Sequence, residues 1–66
     1  MKVPRLRDIR ERRLLTQPEL AAVAGLGLST IVRMEAGRPC RISNIRKVAT
    51  ALGLRADELL GEDKSA

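Results

Sequence analysis

The sequence predicts an all-α domain built from five short helices, and three observations carry that expectation. No stretch alternates β-branched with polar residues, so nothing reads as a strand. Gly25, Gly37, Gly53 and Gly61 each close a stretch with helical spacing, at the point where a chain leaving a helix turns left-handed. The segment "LTQPEL", residues 15–20, holds a complete helix-start signature.

Helix one is expected from Pro4, placed at N1 where its missing N–H is harmless, to about Arg13. Leu6 and Ile9 give it a short apolar stripe set among arginines. Helix two starts at the N-cap Thr16. Glu19 three residues on completes a capping box, and Leu15 with Leu20 forms a hydrophobic staple. Pro18 falls in the first turn, and the helix runs to Ala24. Helix three follows after Gly25–Gly27 and reaches Ala36. Leu26, Ile31 and Met34 should face inward, and Leu28, Ser29, Val32, Arg33 and Ala36 outward. Helix four carries the stripe Ile42, Ile45, Val48, Ala49 and Leu52. Helix five is the short "RADELL", with Asp57 and Glu58 in the first turn where the helix dipole favours them. A frayed polar tail is expected over residues 62–66.

Sixty-six residues allow one domain, 1–66. A chain this short buries only about 60% of its unfolded surface. Phe, Tyr and Trp are absent, so Leu, Ile, Val, Met and Ala must fill the core. No apolar run is long enough for a membrane span. The basic N-terminus has no apolar stretch behind it, so no secretory leader is expected. There is one cysteine, Cys40, and no histidine. That excludes an internal disulfide and leaves too few ligands for a zinc site. It also leaves no nucleophile–base pair, so neither enzymatic activity nor a cofactor or metal is expected.

Net charge is +5 and is unevenly spread. Residues 1–13 and 38–47 form two basic blocks flanking a nearly neutral middle. Ten of the thirteen bases are Arg, the side chain that grips phosphate bidentately. A polyanionic partner is the natural inference.

The stretch "AGLGLST", residues 24–30, raises a choice between a phosphate-cradling loop and a corner between helices. A dinucleotide loop needs three glycines as G-x-G-x-x-G after a strand. Here the third position is Thr30 and the preceding residues read as helix. The corner reading remains: a helix capped at Thr16, a turn, and a second helix make a helix-turn-helix over about residues 16–24 and 28–36.

At this point "LTQPELAAVAGLGLSTIVRMEAGR" resembles the Cro and phage-repressor helix-turn-helix family, also called the xenobiotic-response-element family. Leu15, Thr16, Gln17, Glu19, Leu20, Ala21, Gly25, Leu26, Ile31, Met34, Glu35, Gly37 and Arg38 match its pattern. "VATALGLRADELL" is similar to the family's closing helices. The resemblance spans about residues 5–61 and is specific as a combination.

The resemblance implies a compact five-helix, lambda-repressor-like domain with helix three in the DNA major groove and helix two lying across it. It implies a phosphate contact at Gln17, and a partly buried structural ion pair between Arg10 and Glu35. It implies that Arg38 and Arg41 reach the next phosphates or the minor groove. The expected DNA surface is Thr16, Gln17, Gly27, Leu28, Ser29, Thr30, Val32, Arg33, Arg38 and Arg41. Arg33 is the candidate for a guanine fork, and Leu28 or Val32 for contact with a thymine methyl.

Three positions depart from the family pattern. Gly27 stands where a Ser or Thr cap is usual, Leu14 where Gly is frequent, and Arg55 where a capping Ser is typical. The function expected is a sequence-specific regulator of transcription, a repressor binding a palindrome as a homodimer in the cytoplasm, on the nucleoid. The dimer surface is expected around Leu54 to Leu60. The alternative is a protein-binding module of antitoxin type, motivated by the exposed pair Leu28 and Val32.

Overall fold

The computed structural model describes residues 1–60. They form α1 (Leu6–Arg12), α2 (Gln17–Ala24), α3 (Leu28–Glu35), α4 (Ile42–Leu52) and α5 (Ala56–Leu60), with no strand among the described residues. The predicted helix stop at Gly61 and the predicted tail lie outside that range.

Four of these helices end in one backbone motif. After α1, Leu15 N–H bonds Arg10 C=O at 3.2 Å and Leu14 N–H bonds Glu11 C=O at 3.0 Å. This crossed pair is the Schellman arrangement, which satisfies carbonyls the helix leaves open. Gly25, Gly37 and Gly53 hold the equivalent position after α2, α3 and α4, with the same two bonds each. In three of the four motifs the next residue is a leucine that turns back onto the core: Leu15, Leu26 and Leu54. After α3 that residue is Arg38, which is exposed. The corner that ends the third helix therefore sends a cation outward where the others send an anchor inward.

The α1 motif is made without glycine. Leu14 sits at φ +58° and is 90% exposed. Left-handed backbone costs an L-residue roughly 1–2 kcal/mol, and this side chain buries almost nothing to offset it. The departure at Leu14 thus leaves the geometry of the turn intact and adds strain.

Helix starts are less uniform. Thr16 caps α2 as expected. Its hydroxyl accepts from Glu19 N–H at 3.2 Å, and the Glu19 carboxylate accepts from Thr16 N–H at 2.8 Å. The Thr16 backbone N–H above all, and then the Thr16 hydroxyl, hold the Glu19 carboxyl below its ordinary range. At α5 half of such a box survives. Glu58 accepts from Arg55 N–H at 2.7 Å, but Arg55 has no hydroxyl to return the bond and instead pairs with Asp57 at 2.6 Å. Pro4 does not open α1. It occupies the second position of a turn closed by Leu6 N–H to Val3 C=O at 3.0 Å, and the helix starts at Leu6. Proline's fixed φ suits that turn position as well as it suits N1, so the residue alone could not separate the two.

The core is made from Val3, Leu6, Leu20, Ala21, Ala24, Ile31, Met34, Ile45, Val48, Ala49, Leu52 and Leu59. α2 packs on both α3 and α4, α1 packs on α3, and α5 closes over α4. Arg13 reaches from the end of α1 to donate to the Leu52 carbonyl, placing a cation at the negative end of α4. Ile42, predicted in the inward stripe of α4, is 49% exposed. It is the first residue of its helix, and side chains lean toward the helix N-terminus, so it projects past the core. Val3 is fully buried although nothing in the periodicity marked it. It is held by the Pro4 turn and by Met1, whose C=O accepts from Cys40 N–H at 2.6 Å.

Leu14→Gly should raise the unfolding free energy by about 0.5–1 kcal/mol, the strain relieved less the entropy glycine costs. Urea titration of the two proteins measures it, and a lower midpoint for the glycine variant would mean the leucine side chain has a stabilising contact. The capping box makes a pH-dependent contribution. With its folded pKa lowered, Glu19 stabilises fully above its unfolded value of about 4.3, and this is lost as pH falls through the folded pKa. The advantage of the wild type over Glu19→Gln should therefore be present at pH 7 and disappear in thermal melts below pH 4.

Candidate nucleic-acid interface

The surface centres on α3, and its internal anchor is a buried ion pair. The Arg10 guanidinium donates to both oxygens of Glu35, from Nε to Oε2 at 2.5 Å and from Nη2 to Oε1 at 3.1 Å. Its Nη1 donates to the Leu15 carbonyl at 2.7 Å. The side chains are 10% and 4% exposed. The bond to Glu35 is the main influence on Arg10 and raises its already high pKa, against the opposing effect of burial. One guanidinium therefore ties α1, the α1–α2 turn and the end of α3 together. Gln17 completes the cluster, its Nε2 donating to Glu35 Oε1 at 3.1 Å. Arg10 and Glu35 are paired as the family resemblance implied.

With Ile31 and Met34 buried, α3 turns Leu28, Ser29, Val32, Arg33 and Ala36 outward. Eight residues span about 12 Å, close to the width of the DNA major groove. No side chain caps this helix. Gly27 holds the N-cap at φ −75°, an ordinary conformation, and a β-carbon there would meet nothing within 4 Å. The backbone therefore does not require glycine at this position. Gly25 is different, being left-handed at φ +71°. The two glycines of "AGLGLST" are thus a helix terminator and an open cap, and the phosphate-loop reading has no place in the fold.

Two grooves flank the exposed strip of α3. One is lined by Arg7, Arg10, Gln17, Val32, Glu35 and Ala36. The other is lined by Thr30, Arg33, Met34, Pro39, Cys40, Arg41 and Asn44. The second gathers three of the sequence-predicted residues, Thr30, Arg33 and Arg41. Arg41 is also the N-cap of α4, extended at φ −77° and ψ 148°. Arg33, Arg38 and Arg41 are exposed, and none has an ion-pair partner among the described residues. Their charge is free for an external anion. Thr30 is half-buried rather than on the crest of the strip.

Thr16 is occupied as a cap, and Gln17 is half-buried with its amide nitrogen committed to Glu35. One of its two amide N–H donors is thereby spent, and the second stays available to a phosphate. Of the backbone at this end of α2, the Gln17 N–H is what remains for an anion, because Pro18 has none and Glu19 N–H bonds the Thr16 hydroxyl. Cys40 is half-buried, and its thiol donates to the Met1 carbonyl at 3.3 Å. Burial pushes that thiol up, with the N-terminal ammonium pulling the other way, so it is not a nucleophile at neutral pH.

Three residues on these grooves were not anticipated, Arg7, Pro39 and Asn44. The spacing of Arg7 from Arg10 would have found the first, since residues three apart share a helix face. Asn44 carries no comparable signal in the sequence.

A helical pair of this geometry, with a mostly apolar inner face and a free arginine on the outer one, defines a helix-turn-helix protein. A helix-turn-helix family model matches residues 6–59. The chain is 44% identical over 55 residues to an uncharacterized HTH-type transcriptional regulator, y4mF, of Sinorhizobium fredii (strain NBRC 101917 / NGR234), covering 82% of this chain and 72% of the relative. The chain belongs to the helix-turn-helix family of Cro and phage-repressor type, a family of DNA-binding transcriptional regulators. No helix among the described residues is long and apolar enough to cross a membrane.

Removing Glu35 should cost stability first. In Glu35→Ala, Arg10 stays buried with the Leu15 carbonyl and, 3.9 Å away, the exposed Glu11 carboxylate, and breaking a buried pair this way costs about 3–5 kcal/mol. Denaturant unfolding measures this. An unchanged midpoint combined with weakened duplex binding would assign Glu35 to the DNA surface instead.

Proposed function

We propose that this protein is a sequence-specific transcriptional repressor that binds a palindromic operator as a homodimer. α3 enters the major groove of each half-site, and the half-sites lie about 34 Å apart. The observation that carries this reading is the unpaired Arg33 on the exposed strip of α3, with Thr30 and Arg41 beside it. Arg33 forks to guanine O6 and N7, the commonest specific contact in the major groove. Leu28 and Val32 supply surface for thymine methyl groups. Ser29 and Thr30 offer hydroxyls, and the open cap at Gly27 leaves backbone donors at the tip of the helix. Thr16 and Gln17 hold the start of α2 against the DNA backbone, while Arg38 and Arg41 take the phosphates beyond the end of α3.

A second copy supplies the affinity that one small module lacks. Leu54 and Leu60, half-buried within one chain, are the proposed dimer contact. Such a regulator acts in the cytoplasm, on the nucleoid.

One observation favours a second reading. Leu28, Val32 and Ile42 are 46%, 43% and 49% exposed, and an apolar face of this kind suits a protein partner, as in an antitoxin-type module. Ionic strength separates the two. Binding through several phosphates weakens steeply with salt, and apolar docking does not.

The direct test is selection of bound duplexes from a random pool at near-physiological salt. An enriched palindrome supports a dimeric reader, and the absence of enrichment rejects it. On the enriched site, Arg33→Ala should cost about 1–3 kcal/mol and relax the preference at one position per half-site. Uniform weakening across all sequences would instead make Arg33 a phosphate contact.

A further inference from the structure

Arg7 stands one helical turn before Arg10 on α1, and both line the groove that also holds Gln17 and Val32. The two arginines have opposite fates. Arg10 is turned inward, and all three of its donor nitrogens are taken by Glu35 and the Leu15 carbonyl. Arg7 is turned outward, its side chain 70% exposed. Its one ion pair among the described residues is to Glu11, at 3.3 Å and through Nε, and Glu11 is itself 55% exposed. Exposed pairs of this kind are worth about 0–1 kcal/mol, so Glu11 is readily exchanged for a stronger anion. Both terminal nitrogens of Arg7 stay available for a bidentate contact. The carboxylate at the base of the groove does not cancel this charge, because Glu35 is 4% exposed and already neutralised by Arg10. The groove therefore presents a cation to solvent beside Val32 and Ala36, at the C-terminal end of the α3 strip.

We infer that Arg7 is a further ligand for the DNA backbone, gripping a phosphate at the α1 edge of the surface that α3 centres. The inference rests on the DNA-binding reading above. Gln17, on the same groove, has given one amide N–H to Glu35 and keeps one, a neutral donor without charge. Arg7 supplies the positive charge that Gln17 lacks and that Arg10 has committed inward. Because phosphate contacts carry no base information, Arg7 contributes affinity and orientation and leaves sequence preference untouched.

The test measures affinity of the full chain for the duplex enriched from the random pool, across a salt series. Arg7→Ala should weaken binding to all duplexes alike and reduce the slope of log affinity on log salt by about 0.9 per bound protomer. Its melting temperature should stay close to that of the wild type. Glu11→Gln removes the carboxylate from Arg7 and, at 3.9 Å, from Arg10 while keeping both arginines, and it should bind at least as tightly as the wild type. Two outcomes overturn the inference. One is an Arg7→Ala protein with unchanged affinity and slope. The other is equal weakening by both variants, which would make the Arg7–Glu11 pair a brace for α1. A wild type that binds no duplex at any salt overturns the DNA-binding reading itself, and that result is visible before any variant is made.

Discussion

The fold depends on a single buried guanidinium. With Glu35, Arg10 forms a charged pair buried beside the core, and it bonds three parts of the chain, α1, the α1–α2 turn and the end of α3, to one another. Removing a charge from water is costly, and a buried pair returns that cost only when every donor finds an acceptor. Here every donor nitrogen does: two bond the Glu35 carboxylate and one bonds the Leu15 carbonyl. The pair is therefore better understood as a register device than as a source of stability. α3 meets α1 and α2 through buried aliphatic side chains, Leu6, Leu20, Ile31 and Met34 among them. A bidentate salt bridge has one geometry, and it fixes how far α3 is rotated. That rotation agrees with the one the burial of Ile31 and Met34 requires, and it leaves Arg33 facing the solvent.

The same pair governs the electrostatics of the surface. Glu35 lies at the end of the helix proposed to enter the DNA groove. Unpaired, its carboxylate would repel phosphate. Paired with Arg10 and capped by Gln17, it is silent, and the free arginines at 33, 38 and 41 set the local field. A tally of basic residues counts Arg10 with the others and overstates the charge available to DNA. The structure removes it and leaves Arg7 in its place.

Much of the fold was legible because its punctuation is local. The capping box at Thr16 and Glu19 and the left-handed glycines at 25, 37 and 53 each depend on residues within one turn, and each lies where the sequence put it. What escaped was the part set by distant packing. Val3 is buried because the Pro4 turn and the Met1–Cys40 bonds fold the first residues onto the core, and no periodicity can report that. Ile42 matches the helical stripe but lies at a helix mouth with no layer above it. Of the candidate surface, the outward strip of α3 followed from Ile31 and Met34 facing inward. The Arg10–Glu35 bond spans 25 residues and joins two types that ordinarily sit in water. Only the family resemblance could pair them. The commitment of Gln17 to Glu35 was legible to neither reading, since it follows from the pair being in place.

The exposed strip also constrains how such a protein could discriminate. α3 offers one arginine, two short hydroxyls and two aliphatic side chains, and no amide to grip adenine. A bidentate arginine distinguishes its guanine by about 1–3 kcal/mol, and methyl contacts add less. One copy therefore reads few bases well. Specific sites must stand out from non-specific DNA by some 4–10 kcal/mol, which one strip of this composition does not reach. Two strips held at a fixed separation double the discriminating contacts and add the spacing itself as information. The paucity of polar groups on α3 is thus an argument for symmetry. In the proposed complex the arginines around the strip, at 38 and 41, would hold the duplex while a small number of side chains sample the groove.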